Sequence, residues 1–362
     1  MVAVEVKNLV KRYGAVQAVG GISFEIEKGT LKTLLGPSGC GKTSTLRCIA
    51  GLEDLDGGEI LLDGKLVASQ TSGVFVHPEA RGLGMVFQSY AVWPHMTVAE
   101  NIMFPLDVLG LPRMEKIKRV REVLKQVGLG DKEERDATLL SGGEQQRVAL
   151  ARALVQNPKI ILFDEPLSNL DAKLRREMRG EIKSLQKTLG MTALYVTHDQ
   201  EEALFLSDEI ALMEHGRIVD EGSPYEVYEN SRTFFSMNFM GQCNVWKVVV
   251  KEIRDGVAIV EGSLGAKFES PAPRGVTAGM TAWLAVRPHH VESFVAPASP
   301  MNRLQGRLVL TSFLGNYFEY RLETEVGPLI LHSQRPLAKS EDGSVSLFLP
   351  KEYLRLYPQD AP

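Results

Sequence analysis

Cysteine is scarce: three in 362 residues are too few for a disulfide scaffold and fit a reducing compartment. No apolar run reaches the roughly 18 residues that a membrane-spanning helix needs, so a spanning segment is not expected. The first dozen residues mix Glu5, Lys7 and Lys11 among valines, which is not the continuous apolar block of a signal peptide. Charge of one sign is also lacking. With 41 basic and 45 acidic residues the net charge is −4, which argues against a nucleic-acid or anionic-lipid surface. What remains is the composition of a folded, soluble chain, 44% hydrophobic and 24% charged, long enough for two domains or more. There is no internal repeat or low-complexity tract. A cytoplasmic, multidomain protein is expected.

The first part alternates strands and helices. Val2, Val4 and Val6 recur at period two, and Leu31 to Leu35 forms a short strand running into a glycine-rich loop. A helix is predicted from Lys42 to Ala50, capped by Gly51. Ile60 to Leu62 with Asp63-Gly64 reads as a hairpin strand. Thr97 and Glu100 form a capping box, and Ile117, Val120, Leu124 and Val127 mark an amphipathic helix. Ile160–Phe163 and Leu194–Thr197 are continuous apolar or β-branched runs, as buried parallel strands require, with a charged helix from Ala172 to Leu189 between them. Near residue 240 the character changes to short valine-rich strands separated by turns such as Asp255-Gly256 and Gly315-Asn316, a pattern for a small antiparallel barrel or sandwich. The expected layout is an α/β domain over 1–240 with a helical insert at about 89–156, then an all-β, OB-like barrel over 241–362.

Gly36-Pro37-Ser38-Gly39-Cys40-Gly41-Lys42-Thr43 matches G-x-x-x-x-G-K-[ST] between a predicted strand and a predicted helix. Glycines let backbone N–H groups wrap phosphate oxygens, and the helix N-terminus adds its positive end. Lys42 is expected to reach the β- and γ-phosphates and Thr43 to bind Mg²⁺. Ile160–Phe163 ends in Asp164-Glu165, where ligands sit in open parallel sheets. Asp164 suits the Mg²⁺ shell, and Glu165 suits orienting or deprotonating water.

Phosphate loops serve many enzymes, and the choice among them rests on further motifs. Leu140-Ser141-Gly142-Gly143-Glu144-Gln145-Gln146-Arg147 resembles the signature of ABC-type ATPases and lies between the phosphate loop and Asp164-Glu165. Tyr13 resembles the aromatic that stacks on adenine, Gln88 the Q-loop glutamine, Ser168-Asn169-Leu170-Asp171 the D-loop, and His198 the switch histidine. Leu284 to Val291 and Phe313-Leu314-Gly315 are similar to the barrel-type regulatory (TOBE) domain of importer ATPases, and the stretch Gln88 to Val98 resembles the same group.

The resemblance implies an ATP-hydrolysing, energy-coupling importer subunit with Glu165, His198 and Lys42 as catalytic residues. It implies ATP contacts from Tyr13, Gly36, Pro37, Ser38, Gly39, Cys40, Gly41, Lys42, Thr43, Ser44 and Gln88. Mg²⁺ would be held by Thr43, Gln88 and Asp164. Ser141, Gly142, Gly143 and Glu144 would act on ATP held by a second copy, with Asp171 in the D-loop. Such subunits form a homodimer around two ATP and dock two membrane-spanning permease subunits on the cytoplasmic face of the cell membrane. They serve a substrate-binding protein indirectly, and nucleic acid is no partner. Two other classes are a soluble ABC ATPase unconnected with transport and a regulatory module in which the barrel senses a ligand. Long coiled-coil inserts and a second cassette, which mark soluble members, are missing from this chain, and intact Glu165 and His198 speak for catalysis.

Some features depart from the pattern. Glu144 stands where the family usually has Gln, and Ser141-x-x-Glu144 reads as a capping box rather than a catalytic change. Ala68 to Ala80, longer and more apolar than usual, reads as a plain surface loop. Cys40, inside the phosphate loop, reads either as a small residue that fits or as a thiol near a helix N-terminus with a lowered pKa and sensitivity to thiol reagents. His289-His290 and His332 show no metal-ligand spacing and read as solvated loop histidines. The basic helix Lys116 to Lys125 reads as a solvated face.

Overall fold

A computed structural model describes residues 1–293, 301–337 and 343–359. Its contacts divide the chain into two units, Met1–Val227 and Tyr228–Pro362.

In the first unit the chain runs β1 (Val2–Tyr13), β2 (Val16–Glu27), β3 (Leu31–Leu35), α1 (Lys42–Ala50), β4 (Gly57–Leu62), β5 (Lys65–Ser69), β6 (Val74–Phe75) and β7 (Leu83–Val86). The helices α2 (Val98–Val108), α3 (Arg113–Gln126) and α4 (Gly142–Leu154) form the insert. Then follow β8 (Ile160–Asp164), α5 (Ala172–Leu189), β9 (Thr192–Thr197), α6 (Gln200–Leu206), β10 (Glu209–Glu214), β11 (Arg217–Gly222) and α7 (Pro224–Glu229), whose last two residues begin the second unit.

A six-stranded sheet has the order β11-β10-β3-β9-β8-β7, parallel except for the β10–β11 hairpin. Every residue of β3, β8 and β9 is buried, because one face packs on the helices of the insert and α5 and the other on α1 and the antiparallel sheet. This arrangement leaves the carboxyl ends of β3, β8 and β9 side by side. A second sheet, β2-β1-β4-β5-β6, is antiparallel throughout and alternates buried with exposed residues.

The segment from Ala68 to Ala80 is not the plain surface loop expected. Ala68 and Ser69 finish β5 and pair back with Phe75 and Val74 of β6, closing the edge of the antiparallel sheet. Buried Arg81 holds this hairpin down. Its Nε donates to the Val76 carbonyl at 2.7 Å, and its Nη1 donates to the Cys48 and Ile49 carbonyls at the end of α1 at 2.8 and 2.7 Å. The length and apolarity of the segment are those of a strand return.

The second unit contains α8 (Phe234–Phe239) and strands β12 (Asn244–Arg254), β13 (Val257–Glu261), β14 (Lys267–Pro271), β15 (Thr281–Val286), β16 (Glu292–Ser293), β17 (Arg303–Phe313), β18 (Phe318–Thr324), β19 (Gly327–Ser333), β20 (Ser344–Phe348) and β21 (Arg355–Pro358). They make two antiparallel sheets, β14-β13-β12-β15-β21 and β16-β20-β17-β18-β19, enclosing one core that includes Trp246, Phe268, Leu284, Tyr320 and Leu347. Among its side chains is fully buried Arg287. Its guanidinium lies over the Tyr228 ring and donates to the carbonyls of Gly241, Gln242 and Tyr228.

Candidate functional site

The loop after β3 turns back on itself because of its glycines. A Cβ on Gly36 would meet the Met213 carbonyl oxygen at 2.3 Å, and one on Gly41 the Ala18 carbonyl oxygen at the same distance. Both positions also have positive φ, so only glycine fits without displacing backbone. Helices α2, α4, α5 and α6 begin under a side-chain cap from Thr97, Ser141, Asp171 and Asp199. Helix α1 has no side-chain cap and no acidic residue in its first turn. Its first N–H groups are therefore not capped by a side chain of its own, as an anion-binding turn requires. Lys42 is buried in the loop, where its ammonium donates to the Gly36 and Pro37 carbonyls at 2.8 and 2.9 Å. Ser38 and Gly39 form the exposed crest.

The Thr43 hydroxyl donates to Asp164 Oδ1 at 3.2 Å. These are hard oxygen donors of the kind Mg²⁺ prefers, so the pair fits that ion. Burial pushes the Asp164 carboxyl up from its usual range, and the Thr43 hydroxyl opposes the rise. The next residue, Glu165, takes a positive φ of 43°. Its N–H donates to the Val196 carbonyl at 3.0 Å, and its carboxylate lies 3.0 Å from His198 Nδ1. A left-handed non-glycine residue costs roughly 1 kcal/mol or more. Here it turns the carboxylate off the end of β8 toward the end of β9.

Three supporting contacts were not legible beforehand. Buried Glu202 accepts hydrogen bonds from Tyr195 and Thr197 hydroxyls at 2.9 and 2.8 Å, while its own N–H donates to Asp199 Oδ1 at 3.0 Å. Burial raises its carboxyl pKa. The Asp199-x-x-Glu202 spacing looks like a capping box, but the glutamate turns inward and clamps α6 to β9 on either side of His198. Arg175 in α5 pairs with Asp199 at 3.2 Å and donates to the Leu170 carbonyl, tying the Asp171 loop to the His198 loop. Asn169 donates to the Gln88 carbonyl at 3.0 Å, joining the same loop to the exposed Gln88. Asp171 itself caps α5, accepting from the Lys173 and Leu174 N–H groups.

Tyr13 is exposed at the rim, and its hydroxyl contacts Ser44 at 3.1 Å and Glu53. Ser141-Gly142-Gly143 opens α4 on the insert. Glu144 forms the capping box there: the Ser141 N–H donates to its carboxylate at 2.8 Å, and Lys132 pairs with the same carboxylate. Lys132 first, then the Ser141 N–H, hold the Glu144 pKa down at about 2. The carboxylate is thus a helix cap whose charge is paired with Lys132.

Of the two readings of Cys40, the structure favours the small residue that fits over the activated thiol. Its thiol is buried, and burial raises its pKa; the nearby Lys42 only partly opposes this. The helix N-terminus does not activate a thiol that water cannot reach. His290 departs from expectation, since its side chain is only 14% exposed.

Sequence comparison places these motifs among known proteins. Residues 19–168 match the ABC transporter family model, and residues 284–346 match the TOBE domain model. The chain is 45% identical over 336 residues to the "Fe(3+) ions import ATP-binding protein FbpC" of Agrobacterium fabrum, covering 91% of this chain and 92% of that protein. It is 43% identical over 332 residues to the "Spermidine/putrescine import ATP-binding protein PotA" of Chromobacterium violaceum, covering 91% and 90%. Among solved structures, cbiO1 from Clostridium perfringens, part of the ABC transporter complex cbiONQ, superposes with a TM-score of 0.57 at 30% identity. The match covers 62% of this chain and 90% of that one. A nucleotide-free ATP-binding cassette from an ABC transporter matches with a TM-score of 0.54 at 27% identity, covering 62% and 92%.

Proposed function

The chain belongs to the ABC transporter family, as the ATP-hydrolysing, energy-coupling subunit of an importer with a C-terminal TOBE domain, and from that premise we propose how its residues divide the work. The observation that carries the proposal is the convergence of Lys42, Thr43, Asp164, Glu165 and His198 at the carboxyl ends of β3, β8 and β9.

The N–H groups of Gly39 to Ser44 take the phosphates. Lys42 then exchanges its two carbonyl partners for phosphate oxygens, so binding reshapes the loop. Thr43 and Asp164, with Gln88 across the site, hold Mg²⁺, which neutralises phosphate charge when bound. Glu165 orients and deprotonates the attacking water, and His198 fixes the Glu165 carboxylate and the γ-phosphate. Tyr13 offers its ring to the adenine. Ser141, Gly142 and Gly143 serve the ATP of a second copy, so that two ATP are enclosed in a homodimer.

Two membrane-spanning permease subunits dock on the insert. Exposed Phe104 and Val108, one turn apart on α2, with Leu109 at its end and Met114 in α3, support this reading, because apolar side chains left exposed on a helical insert suit a protein interface. No helix among the described residues is long and apolar enough to cross a membrane, which agrees with a peripheral subunit at the cytoplasmic face. Relatives named for ferric ions and for polyamines match almost equally, at 45% and 43% identity. The cargo is therefore selected by the partner chains, with a substrate-binding protein delivering it.

The test is Glu165→Gln. With ATP and Mg²⁺ this variant is expected to accumulate as a stable dimer by light scattering and to hydrolyse at least about a hundredfold more slowly. Wild-type turnover in that variant would remove Glu165 from the role of base.

A further inference from the structure

Beyond ATP turnover, we propose that the second unit carries a binding site for a divalent transition-metal ion, formed by Glu229, His289 and His290. Among the described residues, this is the one group of three such donors whose ligand atoms all lie within 4.8 Å of one another. Glu229 Oε1 stands 3.6 Å from His289 Nε2, and Glu229 Oε2 stands 3.6 Å from His290 Nε2. These separations are too long for hydrogen bonds. They approach the roughly 3.3 Å between two ligands that each sit 2.0–2.1 Å from one tetrahedral ion.

The donors are held in place before any ion arrives. The His290 ring stacks on Tyr353, with centroids 3.8 Å apart and planes 14° apart. The His289 ring lies nearly parallel to Tyr228, 13° between planes. The Glu229 carbonyl accepts from Arg355 Nε at 3.2 Å, which anchors the end of α7. Neighbouring arginines do not claim the carboxylate. Arg287 donates to the carbonyls of Gly241, Gln242 and Tyr228, and Arg355 to backbone carbonyls and the Asn230 side chain.

Burial grades across the site. The Glu229 and His290 side chains are 15% and 14% exposed, while His289 is 40% exposed and leaves a side open to solvent. Two imidazoles and one carboxylate with an open position suit Zn²⁺, Fe²⁺ or Co²⁺, and disfavour Mg²⁺ and Ca²⁺, which prefer all-oxygen shells. A bound ion would cross-link the end of α7 to the loop between β15 and β16.

The experiment titrates the full-length, nucleotide-free protein with Zn²⁺ against a chromophoric chelator, and separately with Co²⁺ read by its visible d–d absorption. Wild type is expected to take up one ion at micromolar or lower free metal, in excess Mg²⁺, with no thiolate charge-transfer band. His289→Gln and Glu229→Gln should each weaken binding tenfold or more, and His289→Asp, which restores a donor at the exposed position, should recover much of it. Because His289 is partly exposed, its two variants test the site even where substitution of buried His290 disturbs folding. Lack of metal uptake by wild type, or unchanged affinity and stoichiometry in His289→Gln and Glu229→Gln, would overturn the proposal.

Discussion

The two units use their polar residues in opposite ways. In the first, chemistry-bearing side chains stand at the ends of buried parallel strands, and each belongs to a short contiguous motif. Gly36 to Thr43 follows β3, Asp164-Glu165 ends β8, and His198 follows β9. Parallel strands in one sheet bring their carboxyl ends together, so motifs far apart in sequence become neighbours by topology. In the second unit, antiparallel strands scatter polar residues on both ends and faces. Its most concentrated polar features, Arg287 and the Glu229–His289–His290 group, draw on residues widely separated in the chain. A motif is readable when its ligands are adjacent in sequence, and unreadable when the fold alone assembles them.

The contrast can be broken by substitutions with graded effects. The largest should be Lys42→Ala, which is expected to lower ATP turnover at least about a hundredfold in a steady-state assay, well beyond the modest loss of stability from leaving the Gly36 and Pro37 carbonyls without their donor. Unaltered turnover would refute the phosphate role. Next is the reverse case, Arg287→Met. It leaves the carbonyls of Gly241, Gln242 and Tyr228 without their donor and should cost about 3 kcal/mol in denaturant unfolding. If it lowered ATP binding as steeply as Lys42→Ala, the division between a chemical and a structural use of charge would fail.

Glu202→Ala should fall between the two kinds. It orphans the Tyr195 and Thr197 hydroxyls and costs about 2 kcal/mol. Turnover should drop with it because His198 loses its frame, whereas nucleotide binding should persist in an equilibrium assay. Loss of nucleotide affinity in parallel would mean that Glu202 supports the whole fold rather than the His198 loop.

Smaller still is Glu144→Gln. The cap survives in part, since an amide oxygen still accepts from Ser141, but the ion pair with Lys132 goes. A surface pair contributes about 0.5 kcal/mol. The wild-type pKa is depressed from 4.5 to about 2, so its contribution is complete above pH 4.5 and fades as pH falls toward about 2. The difference in melting between wild type and Glu144→Gln should shrink over that window. A several-fold rise in ATPase activity in the variant would show that the carboxylate does more than cap a helix. The smallest expected effect is a labelling order. Partly exposed Cys243 should react with maleimide before buried Cys40 and Cys48; burial pushes all three thiols up, that of Cys48 to about 12, so exposure sets the order. Peptide mapping at short times measures it.

Much of the first unit was legible. The helix bounds Lys42–Ala50 and Ala172–Leu189 and the capping boxes at Thr97 and Ser141 follow from local chemistry, because caps and periodicity act within one turn. The runs Leu194–Thr197 and Ile160–Phe163 show their burial in their composition, and they lie within the strands Thr192–Thr197 and Ile160–Asp164. Less legible were contacts between motifs: Asn169 to Gln88, Arg175 to Asp199, and Glu202 to β9. Each partner looks like a capping or surface residue in its own segment. The hairpin closed by Arg81 was hidden for the same reason, since its partners lie at the end of α1.

The sequence by itself determined the class of protein and much of the order of strands and helices in its first unit, and it named the residues proposed to meet ATP, because backbone propensity and phosphate-loop chemistry are written in adjacent residues. Tertiary structure alone decided that Cys40 is shielded rather than activated, that Glu144 is paired with Lys132, and that Glu229 faces two histidines. Burial and charge pairing depend on what the fold brings within a few ångströms, and residues distant in the chain carry no local mark of that meeting.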